Sequence, residues 1–223
     1  MIVETRAGDL LLGTNGGGIM RLASYDSTAS PKATFEPFTA EDGLASNLVR
    51  DLYEDQDGFL WVATEDRGLC RLDRQGQRTL RGAALACLDR NDGLYVSGLH
   101  RILEDDDGRF WFNTNQGLFW VQRNELNAFI AGEITSVTSV SYTERDGMLN
   151  REGNGGVQPA GIKAADGRLW FPTQEGAVIV DPTRIRRPEA PPVMIETVTV
   201  EDSLQRAEET LVLQPGERDV EIQ

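Results

Sequence analysis

Hydrophobic and polar positions alternate in short runs along this chain, and one such run comes back at a fixed interval. Asp57-Gly58-Phe59-Leu60-Trp61-Val62-Ala63-Thr64 returns as Asp107-Gly108-Arg109-Phe110-Trp111-Phe112-Asn113-Thr114 and as Asp166-Gly167-Arg168-Leu169-Trp170-Phe171-Pro172-Thr173. A fourth version, Ala7-Gly8-Asp9-Leu10-Leu11-Leu12-Gly13-Thr14, carries Leu11 where the others carry tryptophan. Thr14, Thr64, Thr114 and Thr173 are spaced by 50, 50 and 59 residues, a period that marks a repeat architecture. Within each copy an Asp-Gly or Gly-containing turn reverses the chain, an alternating run ends in threonine, and a second glycine turn leads to another apolar run. This reads as strand, tight turn, strand, turn, strand. Leu60, Val62 and Thr64 fall on one face of their strand and Phe59, Trp61 and Ala63 on the other, so both faces are apolar. Such a strand belongs in a sheet packed between two neighbouring sheets.

The same reading extends to the rest of the chain. In the second unit it predicts strands over 49–55, 59–64 and 69–73, with a weak outer strand over 78–81. The third unit has strands over 100–105, 109–114 and 118–123, then a short helix over 124–132 stopped by Gly132, then a polar strand-like run over 134–143. The fourth opens on the glycine-rich segment 150–160, which lengthens its period, and continues with strands over 161–165, 168–173 and 177–181. Pro182, Pro188, Pro191 and Pro192 mark a boundary, because proline cannot donate to a sheet ladder. Beyond it, runs at 193–200, 211–213 and 220–222 alternate in strand style without the tryptophan signature. The expected fold is all-β: β-propeller blades around 1–39, 40–89, 90–143 and 144–187, within a domain over 1–188. These four blades read as part of a larger propeller, and 189–223 as the first strands of a truncated, immunoglobulin-like β-sandwich.

Composition narrows the function. A net charge of −14 and a pI near 4.5 over 223 residues argue against nucleic acid and against an anionic membrane surface as partners. No run approaches the length of a bilayer-spanning helix, and the first residues do not read as a signal peptide. Cys70 and Cys87 each lie in an apolar run and read as two buried free thiols, with a single disulfide the alternative in an oxidising compartment.

The motifs carry a family resemblance. Gly43-Leu44-Ala45-Ser46-Asn47, the run from Val49 to Thr64, and Gly68-Leu69-Cys70-Arg71-Leu72 together resemble the two-component regulator propeller repeat. The stretch from Asn154 through Trp170-Phe171-Pro172-Thr173 to Asp181-Pro182 is similar to the last propeller blade of such sensors, and 193–223 to the opening of the three-tyrosine β-sandwich that follows it. The resemblance implies an extracytoplasmic, periplasmic input module of a membrane-anchored receptor. The membrane helix and the histidine kinase or other output domain of such receptors have no counterpart in these residues.

Chemistry is sparse by comparison. Asp55-Gln56-Asp57-Gly58 and Asp105-Asp106-Asp107-Gly108 lack the further oxygen ligands of a calcium loop and read as hairpin turns. His100 is the single histidine, which leaves few zinc or nucleophilic-triad arrangements. Asn154-Gly155-Gly156 lacks the Lys-Ser/Thr of a phosphate loop, and Trp61, Trp111 and Trp170 recur as core positions do. No catalytic residue, metal ligand or cofactor is expected. Where the repeats stop agreeing, on the loops after each threonine and on one lead-in, stand Asn47, Arg67, Asn115, Gln116, Gln174 and Glu175. Loops on a rigid scaffold are where binding usually resides, and these amide and charged groups suit a small-molecule or oligosaccharide ligand. The expectation is a non-catalytic ligand-sensing module that self-associates through propeller or sandwich. A lyase-like propeller enzyme acting on a glycan or macrolactone-type substrate, and a protein-interaction scaffold, are the alternatives.

Overall fold

The computed structural model describes residues 1–27, 32–74, 79–156 and 158–185 with their side chains, and the strands Thr197–Val200, Ser203–Arg206 and Val220–Ile222 by their backbone. The chain divides into two units, Met1–Ile185 and Arg186–Gln223.

In the first unit each repeat folds into its own antiparallel sheet, a propeller-type blade with the strands in chain order. Blade 1 comprises β1 (Ile2–Glu4), β2 (Leu10–Gly13), β3 (Ile19–Asp26) and β4 (Lys32–Phe38). Blade 2 comprises β5 (Val49–Glu54), β6 (Leu60–Thr64), β7 (Leu69–Asp73) and β8 (Ala84–Leu88). Blade 3 is built from β9 (Arg101–Glu104), β10 (Arg109–Thr114), β11 (Gly117–Gln122) and β12 (Val140–Tyr142), with the helix α1 (Arg123–Ile130) between the last two. Blade 4 has, among the described residues, three strands, β13 (Ile162–Lys163), β14 (Leu169–Thr173) and β15 (Gly176–Val180). In the second unit β16 (Thr197–Val200) pairs antiparallel with both β17 (Ser203–Arg206) and β18 (Val220–Ile222).

The alternation written in the repeat decides how the blades stack. One face of blade 2 carries Trp61, Ala63 and Leu69, which pack with Ile102, Phe110, Phe112, Phe119 and Val121 of blade 3. Its other face carries Leu52, Leu60, Val62, Cys70 and Leu72, which meet Leu11 and Ile19 of blade 1. Leu103, Trp111 and Trp120 of blade 3 pack in the same sense onto Leu169 and Phe171 of blade 4. Trp61 and Trp111 are fully buried, so the tryptophan of the repeat is the wedge between successive blades.

The tryptophan wedges of blades 2 and 3 are each pinned by the turn before them. Asp55 accepts from the backbone N–H groups of Asp57 and Phe59 through one oxygen and from Trp61 Nε1 at 2.8 Å through the other. Asp105 does the same for Asp107, Arg109 and Trp111, whose Nε1 lies at 2.7 Å. Blade 1 has Thr5 and Leu11 at these positions, whereas blade 4 keeps Trp170 but has Ala164 in place of the aspartate. The threonine closing each second strand clips the next turn: Oγ1 of Thr14, Thr64 and Thr114 donates to the carbonyls of Gly18, Gly68 and Gly117, each at 2.8 Å. The lead-ins to blades 2, 3 and 4 are single 3-10 turns, capped by Thr39, Asp89 and Thr143. Asp42, Asp92 and Asp146 reach back to the cap N–H, and left-handed Gly43, Gly93 and Gly147 end these turns.

Several sequence expectations need correction. The outer strand of blade 2 lies at Ala84–Leu88 and not over 79–81, the described part of the expected 78–81: its register sets Leu88 opposite Leu69 and Leu85 opposite Leu72, which places apolar groups over the blade. The run over 134–143 forms a strand only at Val140–Tyr142, and 161–165 only at Ile162–Lys163. The outer strand β4 carried no signal strong enough to be read. Cys70 and Cys87, expected as free thiols, are directly opposed in the β7–β8 register and are joined as a disulfide. The proposed strands at 193–196 and 211–213 lie outside the described residues.

Candidate functional site

Strand order places the loops after the threonines and the lead-ins to the next blade on one face, but most of their hydrogen-bonding capacity holds the blades together. The carbonyls of Thr14, Thr64 and Thr114 accept from Val49, Leu99 and Gly153 of the following blade at 2.8–2.9 Å. Asn47 is absorbed by this stitching: its backbone carbonyl takes the N–H groups of Gly16 and Gly18, and its side-chain oxygen accepts from Ala40 N at 2.8 Å. Gln116 gives its N–H to Thr114 Oγ1 and its carbonyl to the Tyr95 hydroxyl, while the Gln174 N–H bonds the Glu152 carbonyl. The side chains of Arg67, Asn115, Gln116 and Gln174 are exposed, and Arg67 faces Asp66 at 4.0 Å. Glu175 lines a cavity of about 250 Å³ beside Met148, Leu149 and Ile179.

The glycine-rich segment also finds a structural explanation here. A Cβ on Gly153 would come within 1.9 Å of Asn113 Oδ1, and one on Gly155 within 2.3 Å of the His100 ring. The glycines let the backbone lie directly on these two buried side chains. Burial, the leading cause, holds the His100 imidazole below its ordinary pKa.

A larger concavity lies on the first strands of the blades. It measures about 430 Å³ and is lined by β1, β5, β9 and Lys163 of β13. At one register position the four blades supply Glu4, Glu54, Glu104 and Lys163, each four residues before the turn glycine. Leu52, Ile102 and Leu103 give the cavity an apolar floor, and Tyr53, Arg6 and Arg101 add polar groups around it.

Ion pairs between blades hold these groups. Arg74, at the end of β7, bonds Asp9 of blade 1 at 3.1 Å and Glu54 of its own blade at 2.9 Å. Arg123 stands at the equivalent place in blade 3 and bonds Glu104 at 3.1 Å, together with Asp57 of blade 2. The third interface reverses the polarity. Arg109 of blade 3 reaches the carbonyls of Pro182 and Ile185 at 2.8 and 3.1 Å, and Lys163 bonds Asp106 at 2.8 Å. Tyr53 donates to Glu104 at 2.6 Å; burial first, then this acid, raise the phenol above its usual pKa. Asp51 is fully buried behind the cavity and accepts from Arg101 at 3.0 Å and from Ile102 N at 2.7 Å. Burial pushes its carboxyl up from 3.8 to about 6, against the opposing pull of Arg101.

This ring was missed in the sequence, although Glu4, Glu54 and Glu104 recur at the same 50-residue step as the threonines. Among the described residues no group of three or more His, Cys, Asp or Glu is placed to hold a metal ion. The Asp55 and Asp105 carboxylates, which resembled calcium ligands, are occupied by N–H donors.

The lead-in and first two strands of blade 2 match a known family model, Two component regulator propeller, over residues 43–66. No curated protein sequence matches the chain with significance. Among solved structures, the extracellular domain described as that of the hybrid two-component system BT3049 of B. thetaiotaomicron aligns with a TM-score of 0.60 at 22% identity, covering 99% of this chain and 25% of that one. The corresponding domain of BT4673 from the same organism gives 0.60 at 18% identity, covering 99% and 30%. PorZ, a surface component of the type-IX secretion system of Porphyromonas gingivalis, gives 0.52 at 18%, covering 80% and 25%. At these identities the likeness is one of fold, and the chain spans between a quarter and a third of each of the two B. thetaiotaomicron domains. Around the segment of blade 2 that this model matches, the neighbouring blades reproduce its strand order and its interlocking loops. No helix among the described residues is long and apolar enough to cross a membrane.

Proposed function

We propose that this chain is a non-catalytic, ligand-sensing part of the extracytoplasmic input region of a two-component signalling receptor. The observation that carries this reading is the cavity of about 430 Å³ on the first strands of four blades, where Glu4, Glu54, Glu104 and Lys163 converge over an apolar floor. Carboxylates and ammonium groups over apolar strands suit a hydroxyl-rich ligand, such as the end of an oligosaccharide, which offers both donors and acceptors. The propeller repeat at residues 43–66 and the fold shared with extracellular domains of two-component systems support the receptor context. The Cys70–Cys87 disulfide supports an oxidising compartment such as the periplasm. The second unit, antiparallel β16–β18, is in this reading the opening of the β-sandwich that passes the signal toward the membrane.

The cavity is favoured over the loop face because it offers about 430 Å³ lined by charged and apolar groups together, whereas the cavity beside Glu175 measures about 250 Å³. Isothermal titration calorimetry against a panel of neutral and acidic oligosaccharides tests the reading. Glu4→Gln and Lys163→Ala should weaken the binding found, while Gln116→Ala and Gln174→Ala should leave it intact. Loss confined to the Gln116 and Gln174 variants would move the site to the loop face, and turnover of a titrated glycan would replace sensing with catalysis.

A further inference from the structure

One cation of the cavity has a partner unlike the others. Glu54 and Glu104 are matched from behind by Arg74 and Arg123, and Lys163 is matched by the exposed Asp106. Arg101 lines the cavity from blade 3 and is matched by Asp51 of blade 2, a carboxylate with no exposure at all. Arg101 holds it through one terminal nitrogen at 3.0 Å, and Asp51 also accepts from the Ile102 N–H at 2.7 Å. The Nε of Arg101 is buried without a hydrogen-bond partner among the described residues. The guanidinium can therefore turn from Asp51 without giving up a bond at Nε.

Asp51 is the member of this pair that gives way. Burial penalises its charged form, whereas a guanidinium does not release its proton in a protein. Burial pushes the Asp51 carboxyl up to about 6 even against the pull of Arg101. Once Asp51 is neutral, Arg101 keeps a full charge at the cavity wall with no carboxylate bonded to it. The neighbouring charges do not substitute for Asp51. Glu54 of β5 and Glu104 of β9 already have their arginines, and β13 contributes the cation Lys163. From blade 1, Glu4 and Arg6 line the same cavity, and the Met1 ammonium donates to the Gly13 carbonyl at 3.1 Å. His100, one residue before Arg101, sits among Glu65, Arg50 and Glu152.

We propose that Asp51 and Arg101 form a proton-coupled anion subsite, in which a carboxylate of the ligand replaces Asp51 as the ionic partner of Arg101 while Asp51 takes up a proton from solvent. The assignment rests on the reading of the cavity as the ligand site, and it adds one property to the ligand: an acidic group, such as that of a uronic-acid sugar. Arginine suits this group because its planar fork matches a carboxylate. An anion beside Arg101 disfavours a second negative charge on Asp51, so binding and protonation reinforce each other. Affinity is greatest where Asp51 is already protonated, below about 6, and falls as pH rises. One coupled proton sets the fall at no more than about tenfold per pH unit.

Titration calorimetry of the full chain with digalacturonate and with its uncharged dimethyl ester tests this, between about pH 5 and about pH 7.5, in buffers of different ionisation heat. Wild type should bind the acid more weakly as pH rises and, at the upper end, take up about one proton per ligand. The ester should show neither effect. Asp51→Asn, whose side-chain oxygen still accepts from Ile102, should bind the acid at high pH as tightly as wild type does at low pH. Arg101→Gln should no longer prefer the acid to the ester, with thermal melts by circular dichroism showing that both variants fold. Failure of the acid to bind at low pH would overturn the proposal, as would binding by wild type without proton uptake. The reading of the cavity stands apart from that outcome, because neutral oligosaccharides and the Glu4→Gln and Lys163→Ala variants test it.

Discussion

Blades 3 and 4 carry the same tryptophan motif, yet the two tryptophans live differently. Trp111 is fully buried, donates to Asp105 at 2.7 Å and stacks on Tyr142 with centroids 5.7 Å apart. Trp170 is half-exposed and faces Ala164 where the acceptor would be. Around Trp111 the blade has an outer strand, β12, and a helix that reaches back to blade 2 through the Arg71–Asn127 hydrogen bond of 2.6 Å. Among the described residues the sheet of blade 4 has three strands. A motif therefore specifies a blade, but stability comes from the pinning aspartate and from a neighbour on both faces.

The largest effect that follows concerns these two positions. Trp111→Ala should cost about 3–5 kcal/mol in urea unfolding, from cavity formation and the lost hydrogen bond to Asp105. Trp170→Ala should cost about 1 kcal/mol in monomeric protein, where that ring is only partly covered. Equal losses would erase the distinction between interior and terminal blades.

The next effect is a pH dependence located between blades 2 and 3. Asp51 has a folded pKa of about 6 against an ordinary value of 3.8, with burial the main cause. The folded state therefore holds this proton more tightly than the unfolded chain. Its contribution is complete below the unfolded value and is lost as pH rises through 6, a decline of at most about 3 kcal/mol. Asp51→Asn should flatten that part of the stability profile. A variant whose stability still falls in parallel with wild type across this window would assign the titration elsewhere.

The ion pairs offer a smaller and more selective contrast. Arg123→Ala leaves Glu104 and the turn acids of blade 2 unbalanced in a nearly buried setting, and should cost about 2 kcal/mol. Lys163→Ala removes a more exposed pair at the reversed interface and should cost less than Arg123→Ala, with strong screening by salt. Smallest is Thr64→Val, about 1 kcal/mol or less for the lost clip to Gly68 and Arg67. Chemical denaturation at low and high salt separates these cases.

The sequence carried the fold further than the site, and the reasons are physical. Turn glycines, threonine clips and tryptophan wedges obey local geometry, so they repeat and could be read as a unit. The outer strands could not: β8 is held by its register on β7 rather than by its own alternation, and the Cys70–Cys87 bond depends on that register. Asn47 looked free because side-chain capping of Ala40 is invisible until the lead-in folds. The ring of Glu4, Glu54, Glu104 and Lys163 was visible in principle, but among 36 acidic residues a periodic glutamate does not stand out, and the lysine breaks the pattern.

Hydrogen–deuterium exchange of the monomeric chain, resolved to individual strands, tests the central claim most directly. Interior blades, pinned by Asp55 and Asp105 and covered on both faces, should protect β6 and β10 longest. Strands β14 and β15 of blade 4 and β1–β3 of blade 1, each with a face that no described residue covers, should exchange earlier. Protection of β14 equal to that of β10 would contradict the account.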